Sequence, residues 1–466
     1  MAIGIVSYGI YLPRYRLSQK TIAGAWHRPA GDGEKAVANF DEDSLTMSVE
    51  SALATLEHQT PITLFFASTT TPYREKQSAA LIAAVLNLPE TTVTVDVANS
   101  LRSGSTALLT ALNNTKPSLI IASDTRTAPP GSDLEPFLGD GAATLLLGTE
   151  NIIAKIIATH SISSDFTDVW QKNNDAYLQT GDIRFVQEKG YLPLMETVIT
   201  AILKKAKLDQ KDITKLIITP RDPKSHLSLA KQLGFDPKIQ LQDDLVRLIG
   251  FTGTPHPFMM LGAALETAKP GDLILLAVYG DGADAVIFEV TDDIKSHRMT
   301  GQDRKTLSSA LARKKEMASY TKYLEFRNLI KNRPEFLTEG FSSLAMQERE
   351  KDITQKLIAR RCKKCQAILT LSQKVCSSCQ NQEFEHVNLS RTGKIYTFSQ
   401  EHYYPSPEPP TTMAVVDLDG GGRLLLQMTD GEAEQAKIGL PVRLTYRKMH
   451  EAGGFCNYYW KGRPLE

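Results

Sequence analysis

The sequence predicts a layered α/β body made of two copies of one unit, then a helical connector, a small cysteine-bearing module and a small β-barrel. Three observations predict it. Strand-like runs alternate with helical stretches through residues 1–290, the pattern of helices layered on a sheet. The turn Gly139-Asp140-Gly141 returns as Gly280-Asp281-Gly282, each ahead of an apolar run, Thr144–Leu147 and Ala285–Phe288. Past residue 361 the chain is β-rich, with two Cys-x-x-Cys pairs standing ahead of short strands and Gly- or Pro-marked turns.

The 466 residues exceed what one core supports, since single cores stop growing near ~250–300 residues. Lys plus Arg and Asp plus Glu both number 53, which argues against partners recruited by bulk charge, nucleic acid or a membrane surface. No run approaches the ~20 apolar residues of a membrane span. The opening Met1–Val6 has no basic n-region and reads as a strand rather than a signal peptide. Paired cysteines in such a chain point to metal binding in a reducing cytoplasm, not to disulfides.

In order along the body, Ile62–Ala67 is a short apolar strand, followed by a helix pattern over Ser78–Leu88. Thr91–Val97 is β-branched and leads into Ser103–Leu112, whose apolar residues recur at helical spacing. Leu119–Ala122 and Ala142–Leu147 are further buried strands, and Leu194–Leu208 carries the longest amphipathic helix signal. A second echo pairs Ile62–Thr69 with Ile213–Ile218 at nearly the offset of the first, which suggests two units about a pseudo-twofold. The expected boundaries are 1–150 and 151–291 for the two halves and 292–361 for the connector, with Tyr320, Tyr323 and Phe326 on one helical face. Residues 362–389 and 390–466 follow as the cysteine module and the barrel. The barrel's strands are expected at Lys394–Gln400, Met413–Leu418, Arg423–Met428 and Val442–Arg447, with loops at Pro405–Pro410 and Gly420–Gly422.

Cys362 and Cys365 are separated from Cys376 and Cys379 by ten residues, 366–375. Two such knuckles let four thiolates close a tetrahedral shell, so the expected ion is a structural Zn2+ with no open position for water. Cys456 stands apart and reads as a buried or interface thiol.

Read together, several body segments resemble 3-hydroxy-3-methylglutaryl-CoA synthases of the thiolase superfamily. They are Gly9–Leu17, Thr71-Pro72-Tyr73, Arg102–Leu108, Asp165–Trp170, Arg184-Phe185 and Leu233-Gly234-Phe235. The resemblance covers about residues 2–290 and implies a duplicated thiolase-like five-layer αβαβα body. Gly393–Tyr396, Ile438–Val442 and Arg463-Pro464 resemble the zinc-ribbon plus OB-fold module that accompanies thiolase-like proteins in acyl-CoA pathways. The resemblance also implies a CoA thioester as substrate and a homodimer, for which Thr91–Val97 suits an isologous strand pairing.

That family uses a Cys nucleophile, a His, an Asn and a Glu. Carried over by position, these fall here on Leu101, Thr219, Phe251 and Thr69. Leu forms no thioester, and Ser without a base is a poor nucleophile. The candidate site is then a set of hydroxyls, Thr69, Thr70, Ser100, Ser103, Thr219 and Thr252, able to hydrogen-bond a thioester carbonyl. His256 is the candidate acid/base. Tyr279 and Asp281 sit in the second Gly-Asp-Gly turn, His226 reads as a helix cap or entrance residue, and Lys224 is the candidate for a CoA phosphate.

The expected function is an acyl-CoA enzyme that makes or breaks a C–C bond without an acyl-enzyme, with retro-aldol cleavage of a β-hydroxyacyl-CoA first. Some thiolase-like proteins that team with the zinc-ribbon/OB module are similar in lacking the Cys. The alternatives are a condensing synthase with Ser100 or Ser103 standing in, and a non-catalytic scaffold for other acyl-CoA enzymes.

Overall fold

The structure, a computed structural model, describes residues 3–56, 59–113, 116–173, 175–222, 224–299, 306–330, 342–369, 371–403 and 406–465. Parts of the expected connector (300–305 and 331–341) and Pro405 of the expected loop lie outside them. The chain forms two compact units, one of Met1–Asn39, Asp43–Ala83 and Leu88–Tyr323, the other of Phe40–Glu42, Ala84–Asn87 and Leu324–Glu466.

The larger unit is built on nine strands: β1 (Gly4–Tyr11), β2 (Thr63–Ser68), β3 (Val93–Ala98), β4 (Ser118–Thr125), β5 (Asp140–Gly148), β6 (Ala154–Ser163), β7 (Lys215–Ile218), β8 (Leu273–Tyr279) and β9 (Gly282–Val290). Their spatial order is β7-β8-β9-β6-β1-β5-β4-β2-β3. Read outward from the centre, each half runs first strand, last, penultimate, second. The counterpart of β3 in the second half is reduced to one parallel bridge, Leu216–Leu241. The two half-sheets pair through Gly4–Lys155 and Ile5–Ala154 on β1 and β6. This is the internal duplication that the sequence echoes imply. The Gly-Asp-Gly echo itself serves two jobs: 280–282 is a tight hairpin turn between β8 and β9, whereas Asp140 already begins β5.

Alternate residues of the second-half strands belong to different cores. Ile217, Ile274, Leu276, Val278, Val286 and Phe288 face one core, and Leu216, Ile218, Leu275, Ala277, Ala285 and Ile287 face the other. A period of two with both faces apolar means helices cover both sides. Helix α1 (Ser44–Leu53) packs on β1, β4 and β5, and starts at a capping box in which Asp43 accepts from the Thr46 amide at 2.9 Å. Helix α3 (Leu192–Ala206) packs on β6, β8 and β9, with Pro193 in its first turn and Lys207 closing it at φ +58°. Between the half-sheets lie α2 (Ser103–Ala111) and α4 (His256–Thr267), near enough that a Cβ on Gly104 would lie 3.3 Å from the Phe258 ring. The five layers are therefore α1, half-sheet, α2 with α4, half-sheet, α3.

The smaller unit holds a three-stranded ribbon, β10 (Ile358–Cys362), β11 (Ile368–Leu369) and β12 (Phe384–Asn388), ordered β11-β10-β12. Its barrel strands are β13 (Thr392–Glu401), β14 (Thr411–Leu418), β15 (Arg423–Gln427), β16 (Pro441–Ala452) and β17 (Phe455–Pro464), ordered β15-β14-β13-β16-β17. Within this unit Arg447 is buried among three carboxylates, Asp41 at 3.0 Å, Glu42 at 2.8 Å and Asp430. Lys461 reaches Asp41 at 2.9 Å. Burial alone raises a carboxyl's pKa, but Lys461 and Arg447 hold that of Asp41 below the usual range. No helix among the described residues is long and apolar enough to cross a membrane.

Candidate active site

Three chain segments meet at a cavity of about 270 Å³ in the larger unit: the turn after β2, the turn between β3 and α2, and the hairpin between β8 and β9. Thr69 and Thr70, Ser100 and Leu101, and Tyr279 to Asp281 line it, with Arg126, Asp168 and Trp170 across from them. A narrower slot of about 20 Å³ shares Leu101, Arg126 and Tyr279 with the cavity and adds Thr219 and Phe251. A volume of that size holds about one water. Gly280 makes the junction possible. Its φ is +153°, and a Cβ there would lie 3.0 Å from both the Leu101 Cβ and the Arg102 amide.

Leu101, Thr219 and Phe251, the three positions carried over from Cys, His and Asn, thus line one slot, and Thr69 lines the adjoining cavity. The Thr219 hydroxyl accepts from the Tyr279 amide at 3.0 Å, and its carbonyl accepts from the Tyr191 phenol at 2.9 Å. Arg102 at the start of α2 is anchored to Asp284 at 3.1 Å, and Ser105 donates to the same carboxylate at 2.6 Å.

The hydroxyls are organised by Asp124, which is fully buried. It accepts five hydrogen bonds, from the Ser68 hydroxyl, the amide and hydroxyl of Thr69, the Thr70 hydroxyl and the Thr254 amide, at 2.7–3.0 Å. The last is permitted by Gly253 at φ +79°, where a Cβ would collide with Asp124 Oδ2. The Thr69 and Thr70 protons are therefore committed, and the Thr70 oxygen also accepts from the Thr125 amide at 2.9 Å. The sequence-based expectation that these two donate to a thioester carbonyl is corrected: Thr69 is left as an acceptor for a ligand hydroxyl. Ser100 Oγ accepts weakly from the Arg102 amide at 3.4 Å and lies in the cavity, whereas Ser103 is buried and accepts from the Ser100 amide.

His256 is not in the cavity. It is fully buried at the start of α4, with Nε2–H donating to the Asp244 carbonyl at 2.8 Å and Nδ1 accepting from the Thr252 amide at 3.2 Å. Burial pushes its pKa down to about 4, although the Asp244 carbonyl pulls the other way. Both ring nitrogens are occupied, so the expected acid/base acts instead as a neutral strut between α4 and the 244–252 loop. His226 is buried beside Asp244, 3.3 Å away, rather than at an entrance. Lys224 is exposed at the start of helix Ser225–Gln232 and does not line the cavity.

Sequence reasoning missed Arg126, Asp168 and Arg221. Arg221 forks onto Asp168 at 2.6–3.0 Å and onto Thr180 at 2.7 Å. Tyr279 lies beside Asp168. Burial and that carboxylate raise its phenol pKa well above the usual value, so it is a neutral hydroxyl at any physiological pH. Arg126 is 5% exposed, its guanidinium 5.9 Å over the Phe251 ring. Burial lowers its pKa, with Asp124 and then Asp168 opposing and Arg221 reinforcing. The Asp165–Trp170 motif signals Asp168, but nothing in Thr125-Arg126-Thr127 marks that arginine in one dimension.

A hydroxymethylglutaryl-CoA synthase of Aeropyrum pernix is 32% identical over 319 residues, covering 64% of this chain and 88% of the relative. The chain belongs to the hydroxymethylglutaryl-CoA synthase family. Another member, from Caldivirga maquilingensis, is 28% identical over 358 residues, covering 71% of this chain and 99% of the relative. The crystal structure of an HMG-CoA synthase complexed with CoA superposes with a TM-score of 0.62 at 20% identity, covering 74% of this chain and 95% of that one. Residues 386–447 match the family described as ChsH2, C-terminal OB-fold domain. The duplicated thiolase-like body with an appended OB-fold is thus borne out.

The four cysteines of the smaller unit also come together. Cys362 and Cys379 Sγ are 3.6 Å apart, Cys365 and Cys376 Sγ 3.5 Å, and all four lie within 4.8 Å. Four sulfurs each about 2.3 Å from one tetrahedral ion stand about 3.8 Å apart, so the donor set fits a metal. The amides of Cys365 and Lys364 bond the Cys362 sulfur and lower its pKa to about 6, favouring the thiolate a metal needs.

Proposed function

We propose that the cavity binds an acyl-CoA thioester and makes or breaks the C–C bond beside its carbonyl without an acyl-enzyme, running as an aldol or retro-aldol step on a β-hydroxyacyl-CoA. The observation that carries this is Leu101. Carried over by position, the family's nucleophile falls on it, and every cysteine of the chain lies at 362 or beyond. Similarity to CoA-dependent synthases supports the substrate class. In cleavage the β-hydroxyl proton passes to the Thr69 oxygen as Thr69 passes its own to Asp124. The C–C electrons move to the thioester carbonyl as an enolate, a ketone or aldehyde leaves, and the proton returns to the enolate's α-carbon. Thr69 is the group we assign to receive the β-hydroxyl, with its own proton directed to Asp124 Oδ1 at 3.0 Å. The Ser100 hydroxyl is the donor we assign to the oxyanion, since the Tyr279 phenol already hydrogen-bonds Asp168.

Thr69→Val is then expected to lower turnover by roughly 10²-fold while Thr69→Ser retains most of it. The deciding experiment incubates the protein with β-hydroxyacyl-CoA thioesters. It follows release of a shorter acyl-CoA and a carbonyl compound, and intact-mass spectrometry searches for an acyl adduct. A stoichiometric adduct on Ser100 or Ser103 overturns this reading. It favours instead a condensing acyltransferase, the reaction named by the relatives, with serine as nucleophile.

The four-cysteine site is assigned to structural Zn2+, one per chain, on its closed all-sulfur shell. A homodimer through β3 fits as well. That strand is at the sheet edge and half-exposed along its length, with Val93 56% exposed. A monomeric mass by light scattering at micromolar concentration counts against it. Thiols held for zinc fit a cytoplasmic setting.

A further inference from the structure

We infer that Phe251 sets the length of the acyl group. Its ring closes the inner end of the slot, so that a fixed number of carbons fits beyond the reacting centre and the terminal methyl fills the space left. This rests on the acyl-CoA reading above and adds a length limit to it. Ser100 and Thr69, assigned to the thioester oxygen and the β-hydroxyl, line the cavity but not the slot. The slot continues the cavity inward past Leu101 and Leu178, which border both, to Leu134, Phe137, Leu138 and Phe251. Those inner walls are apolar, and the polar groups at the border are engaged elsewhere. The Thr219 hydroxyl accepts from the Tyr279 amide, the Tyr279 phenol bonds Asp168, and Arg221 forks onto Asp168 and Thr180. A space of about 20 Å³ takes about one methyl group or one water, and a water needs polar partners that this site does not spare.

The wall is stiff. Phe251 is buried, its ring stacked on Phe137 at 5.5 Å between centroids, 4.9 Å from the His256 ring and 5.9 Å under the Arg126 guanidinium. Its backbone is tied to the same segment as Phe137. The Phe251 amide donates to the Phe137 carbonyl at 2.6 Å, and its carbonyl accepts from the Gly139 amide at 3.0 Å. Gly139 permits that approach, since a Cβ there would collide with the Ile249 carbonyl. A ring held in this way does not swing aside for one more methylene, and forcing a carbon into a filled site costs affinity. Where the family's Asn carries over by position, this chain has the bulkier Phe, so the limit is its own.

The test is calorimetric titration of the full-length protein with straight-chain saturated acyl-CoAs from acetyl- to decanoyl-CoA, which lack the β-hydroxyl and are not cleaved. In the wild-type protein affinity is expected to rise about fourfold per methylene until the slot is filled, then to fall about tenfold at the next lengths. Phe251→Ala should move that maximum roughly two carbons or more toward longer chains, and Phe251→Leu about one, while acetyl-CoA binds as before. A wild-type affinity that climbs through decanoyl-CoA, or that ignores length, overturns the inference whether or not the variants fold. A maximum that stays in place in a Phe251→Ala protein still able to bind acetyl-CoA also overturns it, putting the limit elsewhere in the cavity. A length maximum that moves as expected, in a protein that cleaves no β-hydroxyacyl-CoA, sustains this inference and overturns only the aldol step. Failure of every CoA thioester to bind overturns the acyl-CoA reading itself, and this inference with it.

Discussion

Arg447 in the smaller unit and Arg126 in the larger are both buried guanidinium groups, yet their partners differ. Arg447 contacts Asp41, Glu42 and Asp430, and Asp41 is shared with Lys461. Arg126 faces a cavity, and Asp124 and Asp168 attract it without a direct ion pair. The smaller unit meets its buried guanidinium with direct ion pairs and brings its four cysteines together. In the larger unit nearby carboxylates stabilise the Arg126 guanidinium from a distance.

The largest effect expected from breaking a closed shell is metal removal. Structural zinc contributes about 10–16 kcal/mol in zinc-finger peptides. A strong chelator, or Cys376→Ser, should unfold residues 362–379 while the larger unit, which has its own core, keeps its cooperative transition. Zinc analysis together with limited proteolysis measures both. Next comes the Asp41 cluster. Arg447→Met leaves buried carboxylates uncompensated and should cost about 3–5 kcal/mol in denaturant unfolding of the smaller unit.

Within the larger unit, His256 is the closed group. Its folded pKa of about 4 lies below an unfolded value of about 6.5, so the unfolded chain binds the proton more readily. Stability from this group is complete above about 6.5 and is lost as pH falls toward 4, by about 3 kcal/mol in all. His256→Gln should flatten that dependence, as read from denaturation midpoints between pH 7 and 4. The smallest effect sharpens the comparison most. Arg126→Met removes a buried cation that has no direct ion pair and should change the stability of the ligand-free protein by no more than about 1 kcal/mol. A loss of several kcal/mol would mean that Arg126 is a structural group like Arg447.

The four-cysteine cluster was legible because its members lie within 18 residues, from Cys362 to Cys379, and local chain geometry brings them together. The duplication was legible because apolar runs and Gly-Asp-Gly turns repeat at one offset. His256 looked catalytic because it lies just before a helix, at the loop where the second unit is expected to face the site. Only the packing of α4 showed both its nitrogens engaged within the fold. The threonines at 69 and 70 read as donors until Asp124, more than fifty residues on, was found to take their protons.

By itself the sequence determined what short-range pattern can encode: the strand and helix periodicities of both halves and the four-cysteine cluster. The tertiary structure alone decided which polar groups are spent and which are left over. A hydrogen bond or ion pair is a relation between residues far apart in the chain, so availability is not a property of any residue type. Arg126 shows the difference: in the sequence it is one of many basic residues, and in the fold it is a buried cation facing a cavity.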